Sequence, residues 1–469
     1  MSHTNPHIAR LPYPPERLGH VTVDVPPAVV AGAMTTVRVT YTAGTFGIDD
    51  QGSIRFLLRF ASDAGRPQFD RPGAPNYCTV TASNGTTLLP EYHPRGGFRP
   101  WFKAIRVNVM REALREGDSI TLVLGDRSQG GAGWRTSSMR EGAFEIRVQA
   151  DPFGTVVYGD VAGGASYELV PGDAVDWKAV LPTLRGVGQP FELRIRADDR
   201  CGNPVATLPA GLLRFEAEGP LAGLPSQIEA GAHGACIVTG LRATAAGRID
   251  IRVRDAAGRL LAVANPLIAA DADAAPTWWG DFHAQSEETI GTNSARDYFL
   301  FARDRAFCDF VGHQGNDFQI SNAFWRDLNQ LYREFDDPDR FVTLPGYEYS
   351  PVTHLGGDRN IFFMDEDRPI RRSSHALVED TSDIDTDCNH VQDLFAALRR
   401  DGERVLAFAH VGGRYADLRA GHDGDIERSV EVHSSWGTFE WLLFDAFDLG
   451  FRVGVVCNSD DHKGRPGAS

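Results

Sequence analysis

No apolar run in this sequence approaches the ~20 residues of a membrane span. The first twenty residues, broken by Pro6, Pro12, Pro14 and Pro15, hold no apolar stretch of signal-peptide length. Basic runs are also missing. With 47 Lys and Arg against 63 Asp and Glu, the formal charge is −16, which excludes a nucleic-acid partner held by phosphate neutralisation. Six cysteines (Cys78, Cys201, Cys236, Cys308, Cys388 and Cys457) are scattered with no C-x-x-C pair. That pattern reads as reduced thiols, without a disulfide frame or zinc knuckle. Together these absences predict a cytoplasmic protein with no membrane partner.

What is present is enough for several cores. At 469 residues, 42 % of them hydrophobic and 23 % charged, the chain is globular and too long for one ordinary domain. From the start to residue 170, alternating segments such as 21–25, 36–40, 53–58 and 119–124 are separated by Gly, Pro, Asn and Asp turns, which predicts a β-sandwich. Residues 171–270 repeat the pattern, with strands at 191–196, 235–238 and 248–253 and a hairpin turn at 255–258, as in an immunoglobulin-like domain. The small, polar segment 271–276 reads as a linker. Beyond it, strand-like runs (277–283, 308–313, 341–347, 359–364, 404–410, 429–433 and 451–458) alternate with helical periodicity at 294–306, 322–335, 390–400 and 438–449. Such alternation predicts a β/α barrel over residues 271–469. The expected class is therefore multidomain: all-β sandwiches followed by a distorted α/β barrel. The barrel reads as C-terminally incomplete, because residues 464–469 form a loop where a helix is expected. An exposed last strand would favour homo-oligomers.

Histidines concentrate the chemistry. His283, His313, His410, His433 and His462 each fall at or just past a predicted strand end, the rim where catalytic side chains converge in such barrels. Any one of them reads equally well as an ordinary packed histidine; the set of five does not. Carboxylates accompany them in Gly280-Asp-Phe-His283, Gly346-Tyr-Glu348 and Ser459-Asp-Asp-His462. Mixed His and carboxylate donors suit Zn, Mn or Fe.

The motifs W-W-G-D-F-H-A-Q-S (278–286), D-F-V-G-H-Q-G-N-D (309–317), P-G-Y-E-Y-S (345–350), A-H-V-G (409–412), V-E-V-H (430–433) and N-S-D-D-H (458–462) resemble, in their order, the PHP (polymerase and histidinol phosphatase) metallohydrolases. More closely, they are similar to a PHP-like family of unknown function with β-rich N-terminal regions, in which carbamate-hydrolysing enzymes of the carbaryl hydrolase type are expected. The resemblance implies metal ligation by His283, Glu348, His410, Asp460 and His462. Gln285 stands where a second histidine of H-x-H is expected, a poorer ligand through its carbonyl oxygen, and Asn316 replaces the histidine of D-H-D. His313 is the candidate to substitute for that loss, so one or two ions per chain are expected instead of three.

His433, Asp461 and Arg414 are candidates to move a proton or stabilise charge, and Arg359, Arg414 and Trp436 to touch substrate. Each has a bland alternative as a solvated loop arginine or a packed aromatic. Asp317 reads as a ligand or a helix cap, Trp278 and Trp279 as packing, and His354 and Asp358 rank lower. His3, His7, His93 and His233 carry no spacing that suggests chemistry. The expected function is a metal-dependent hydrolase that cleaves an ester-type bond in a small molecule (carbamate, carboxylic ester or phosphoester), with the missing histidines tilting away from phosphoesters. The alternative is a non-catalytic binding protein with a degenerate PHP-like barrel.

Overall fold

The computed structural model describes residues 11–467; His3 and His7 lie outside them. The N-terminal part packs two five-stranded sheets face to face. One runs Ala162–Gly163, Gly19–Asp24, Val37–Ala43, Ser119–Leu124, Cys78–Ala82; the other runs Gly159–Asp160, Arg147–Asp151, Ser53–Leu58, Lys103–Met110, Thr87–His93. Alternation decides which side faces in. Val37, Val39 and Tyr41 of one sheet meet Ile54, Phe56, Val107 and Val109 of the other in one core, and each such side chain contributes roughly 1.5–3 kcal/mol on burial. A second sandwich follows, with Pro190–Asp198 and Ala235–Ala243 in one sheet and Gly211–Glu218 and Gly247–Arg254 in the other. Leu193, Ile195, Ile249, Ile251 and Val253 fill it. All six cysteines are unpaired, and no helix among the described residues is long and apolar enough to cross a membrane.

The C-terminal region begins with β1 (Gly280–Asp281), α1 (Ala295–Phe301), β2 (Phe310–Gly312), α2 (Asn322–Phe335) and β3 (Val342–Leu344). β4 (Gly346–Tyr349), β5 (Arg359–Phe363), α3 (Val391–Arg400), β6 (Val405–Ala409) and β7 (Glu427–Ser434) follow. β8 (Gly437–Thr438), α4 (Glu440–Asp448) and β9 (Gly454–Cys457) end it. Side-chain caps start three of the helices: Ser294 accepts from Asp297 N–H, Ser321 from Phe324 N–H and His390 Nδ1 from Gln392 N–H. The inner face of α2 buries Phe324, Leu328, Tyr332 and Phe335 against this region's core.

The expected β/α barrel is corrected here. β1–β2–β3 form a small parallel sheet, whereas β4 to β9 form a separate mixed sheet in which β4–β5 and β5–β6 are antiparallel. For β4–β5 the reason lies in residues 350–358. A parallel return needs a crossover of about a dozen residues or more, and this loop, turned by Gly356 and Gly357 at φ 137° and 73°, holds only a short 3-10 turn. The two sheets meet through single-residue bridges at Ala284–Asp461 and Asn316–Glu348. With 39 % strand against 13 % helix, the chain is mainly β, and the PHP-type barrel is withdrawn with the α/β class.

Candidate metal centre

Those two bridges create the site. They bring the end of β1, the residues after β2 and β9, and β4 side by side, while β6 delivers His410 one residue past its last strand position. His283, Glu348 and His410 are buried, and their donor atoms lie within 4.8 Å of one another. His283 Nε2 is 3.9 Å from Glu348 Oε2 and 3.2 Å from Asp460 Oδ1; His410 Nε2 is 3.7 Å from Glu348 Oε1. The two imidazole rings sit 4.3 Å apart.

Several of these atoms have no hydrogen-bond partner although they are buried: His283 Nε2, both ring nitrogens of His410 and Asp460 Oδ1. Buried polar groups are nearly always paired, so a convergent set of unpaired donors fits a cation. Asp460 also holds a left-handed backbone conformation (φ 46°), a strain that non-glycine residues accept mainly at special sites.

The surroundings fix each donor. Glu431 on β7 receives His283 Nδ1 at 3.0 and 3.2 Å and is itself held by Asn458 Nδ2 at 2.7 Å. This leaves His283 Nε2 directed at the cluster, the usual carboxylate-to-histidine arrangement behind a metal. Burial and the neighbouring His283 hold the His410 pKa well below its ordinary value, so the imidazole is neutral, as a ligand must be. Burial would raise the Glu348 pKa, but the adjacent His283 holds it below the ordinary carboxylate value. Burial drives Asp460 up despite the opposing pull of His283.

The other predicted residues separate. Gln285 is at the site, but its Nε2 donates to Glu348 (2.9 Å) and its oxygen accepts from Thr289 (2.9 Å), so it orients the glutamate and is not an oxygen ligand. His462 lies beside the cluster: its Nδ1–H donates to the Asp460 carbonyl (2.8 Å), its ring meets Trp436 and Phe60, and burial lowers its pKa to about 4. Trp436, half exposed, stacks on Phe60 at the rim. His313 sits instead between Tyr298 and Phe324 with Nε2 at Ser286 Oγ, and burial takes its pKa to about 3. His433 is exposed and bonded to Thr438, because a register shift between Glu431 and His433 turns it outward. Asp461 accepts from the backbone N–H of Lys463 and Arg465 and shapes that loop. Arg359 is fully buried against Glu427 (2.7 Å), so its substrate role is withdrawn. Asp317 braces loops by accepting from Ser373 and Ser350. Asp358 is buried near the site and accepts from Arg414 N–H (2.8 Å), while His354 is exposed. Trp278 and Trp279, read as packing, are largely exposed; with Phe191 and Phe307 they line a groove of about 710 Å³ against the second sandwich.

The sequence reading missed two contributors. Glu431 stood in V-E-V-H, where alternation put it on the same face as His433; only the bulge separates them. Arg99 was missed because it comes from the first sandwich. Its loop, 94–102, joins the hairpin strands Thr87–His93 and Lys103–Met110, and Phe98 and Trp101 pin the loop to Leu57 and Ala104. Between these anchors, Arg99 Nε donates to Gln319 Oε1 (2.8 Å) and its NH2 to Asn316 Oδ1. Arg59 locks the same face by donating to the carbonyls of Glu287 and Gly291 at 2.9 and 2.8 Å.

Residues 257–414 match the family described as "Protein of unknown function (DUF3604)", a stretch that holds His283, Glu348 and His410 and stops before Glu431 and Asp460. An uncharacterized protein of Chlamydia pneumoniae is 23 % identical over 338 residues, 70 % of this chain and 52 % of that one. An uncharacterized protein of Chlamydia trachomatis is 22 % identical over 452 residues, 89 % of this chain and 66 % of that one. The chain thus spans about half to two thirds of the length of these relatives. Among solved structures, similarity is found to the D00–D0 domain of intimin (10 % identity, TM-score 0.22, 54 % of this chain and all of that one). The Escherichia coli adhesin FdeC is similar at 16 % identity and TM-score 0.24, over 58 % of this chain and 71 % of that one. Likeness this low carries no argument about function.

Proposed function

We propose that His283, Glu348, His410 and Asp460 hold a divalent ion and that the chain hydrolyses an ester-type bond at this site. The observation that supports this reading is the set of buried donor atoms without partners. The ion would supply Lewis acidity and a water activated near neutral pH. The chain's own residues would do the rest. Glu431 fixes the His283 tautomer, and Gln285 and Ser350 (3.0 Å) orient the two Glu348 oxygens. His462, its Nδ1–H committed to the Asp460 carbonyl, keeps Nε2 as its proton-accepting atom. Trp436 and Phe60 form an apolar wall at the rim. Aryl carbamates, aryl carboxylic esters and nitrophenyl phosphates, assayed with and without chelator, test the reading. Chelator-sensitive turnover of one class is expected, and a protein inert towards all three contradicts hydrolysis.

A second reading is a non-catalytic binding protein. Gln285 and Asn316 favour it, since both spend their polar groups on Glu348, Thr289, Ser350 and Arg99 and give none to an ion. Tight metal uptake without turnover of any ester class would decide for it.

A further inference from the structure

Arg99 of the first sandwich and Arg414 of the C-terminal region converge on one aromatic ring. Their guanidinium carbons lie 5.0 and 4.5 Å from the centre of Phe318. Neither has a carboxylate within ion-pair distance among the described residues, whereas most buried or half-buried arginines of this acidic chain do, as in Arg147–Asp160, Arg196–Asp198, Arg359–Glu427 and Arg372–Asp383. Arg99 is held only by the neutral oxygens of Gln319 and Asn316. The two cations feel each other, and both feel the site: Arg99 interacts with Glu348 and Asp358, and Arg414 with Asp358. Burial and the neighbouring Arg414 lower Arg99 to about 10, which leaves it charged at neutral pH.

Holding two like charges near one another with no carboxylate in direct contact with either is unfavourable at low dielectric. A divalent ion among His283, Glu348, His410 and Asp460 would sharpen that imbalance, because it takes up the charge of Glu348, which now acts on Arg99. An anion between the arginines and the cluster removes it. Guanidinium groups match carboxylate and phosphate oxygens through paired N–H donors, and Asn316, which donates to Ser350 Oγ (3.1 Å) while accepting from Arg99, ties this pair to Glu348.

We infer that Arg99 and Arg414 form an interdomain clamp for an oxyanion, phosphate or carboxylate, carried by the substrate next to the bond that is cleaved. The first sandwich thereby supplies a specificity residue and completes the site. The inference rests on the hydrolytic reading for the word substrate, but the clamp can be tested without turnover.

Isothermal titration of the full chain with inorganic phosphate and with acetate, metal-loaded and metal-free, reads the clamp. Wild type is expected to bind at least one of the two, and the preferred anion assigns the source as phosphate or carboxylate. Arg99→Gln and Arg414→Gln should each weaken that anion at least ~10-fold, as the loss of a bidentate charged contact does, with metal affinity unchanged. Arg99→Lys should fall between, since it keeps the charge and loses the fork. Should Arg99→Gln not fold, as judged by its melting transition, Arg414→Gln carries the test. Wild-type anion affinity in both Gln variants, or no anion binding by wild type, overturns the clamp. Failure to take up metal instead contradicts the hydrolytic reading, and the metal-free titration still decides the clamp.

Discussion

Two glutamates buried in the same C-terminal region have opposite surroundings. Glu427 on β7 is saturated: Arg359 Nε reaches one oxygen at 2.7 Å and His422 Nδ1 the other at 2.8 Å, and Arg359 spends its remaining donors on the carbonyls of Gly356, Gly357, Asp417 and Gly421. Glu348 on β4 receives only the neutral donors Gln285 and Ser350, and the two histidines facing it stand 3.7 and 3.9 Å away. The first cluster is complete as protein alone and serves the fold. Around the second, His283 Nε2, both His410 ring nitrogens and Asp460 Oδ1 stay unpartnered, and the donor atoms of His283, Glu348 and His410 lie within 4.8 Å of one another. A buried charged residue at a strand end is therefore no sign of chemistry by itself; unspent coordination is.

The sharpest way to break the comparison is to open the saturated cluster. Arg359→Ala leaves Glu427 buried without its cation and should destabilise the fold by about 3–5 kcal/mol, read by urea denaturation, while metal binding per folded molecule stays at the wild-type level. Equal loss of metal binding would erase the distinction between the clusters. Next, metal at about 100 times its dissociation constant should raise wild-type unfolding free energy by about 2.7 kcal/mol and should leave His410→Ala unmoved, which thermal melts with and without metal measure. Third, Glu431→Gln removes the carboxylate behind His283 and should weaken metal about 10–100-fold; unaltered affinity in a metal titration would reduce Glu431 to packing.

The smallest effect lies outside the site. Burial raises Glu141 from 4.5 to about 7. A folded-state pKa above the unfolded one gives a stability contribution that is fully present below about pH 4.5 and is lost as pH rises through about 7. Glu141→Gln should flatten that part of the pH dependence, seen as a smaller difference between urea midpoints at about pH 5 and about pH 8. Opening a metal site adds no such slope at Glu141, so this variant also controls for general loosening of the first sandwich.

Local patterns in the sequence located the C-terminal elements within a few residues. Apolar spacing over 322–335 and 390–400 coincides with α2 and α3, and the strand-end rule led to His283, Glu348 and His410. The rule failed where geometry is not local. It could not tell His313, packed among aromatic rings, from His410, because both follow apolar strands. It put His433 in the site because it treats every strand-end histidine alike, whereas a register shift turns this one outward. The barrel failed for a reason that was legible: no helical periodicity separates β4 from β5, so their pairing had to be antiparallel. Arg99 was beyond reach, since no periodicity links a hairpin loop of the first sandwich to a loop hundreds of residues later.

Metal content tests the central claim most directly. The full chain, stripped with chelator, reloaded with Mn or Zn and dialysed, should retain at least one ion per chain by elemental analysis, and Glu348→Gln and His410→Ala should lose it while Arg359→Met does not. Substoichiometric metal in the wild type, or retention in both ligand variants, would contradict the account.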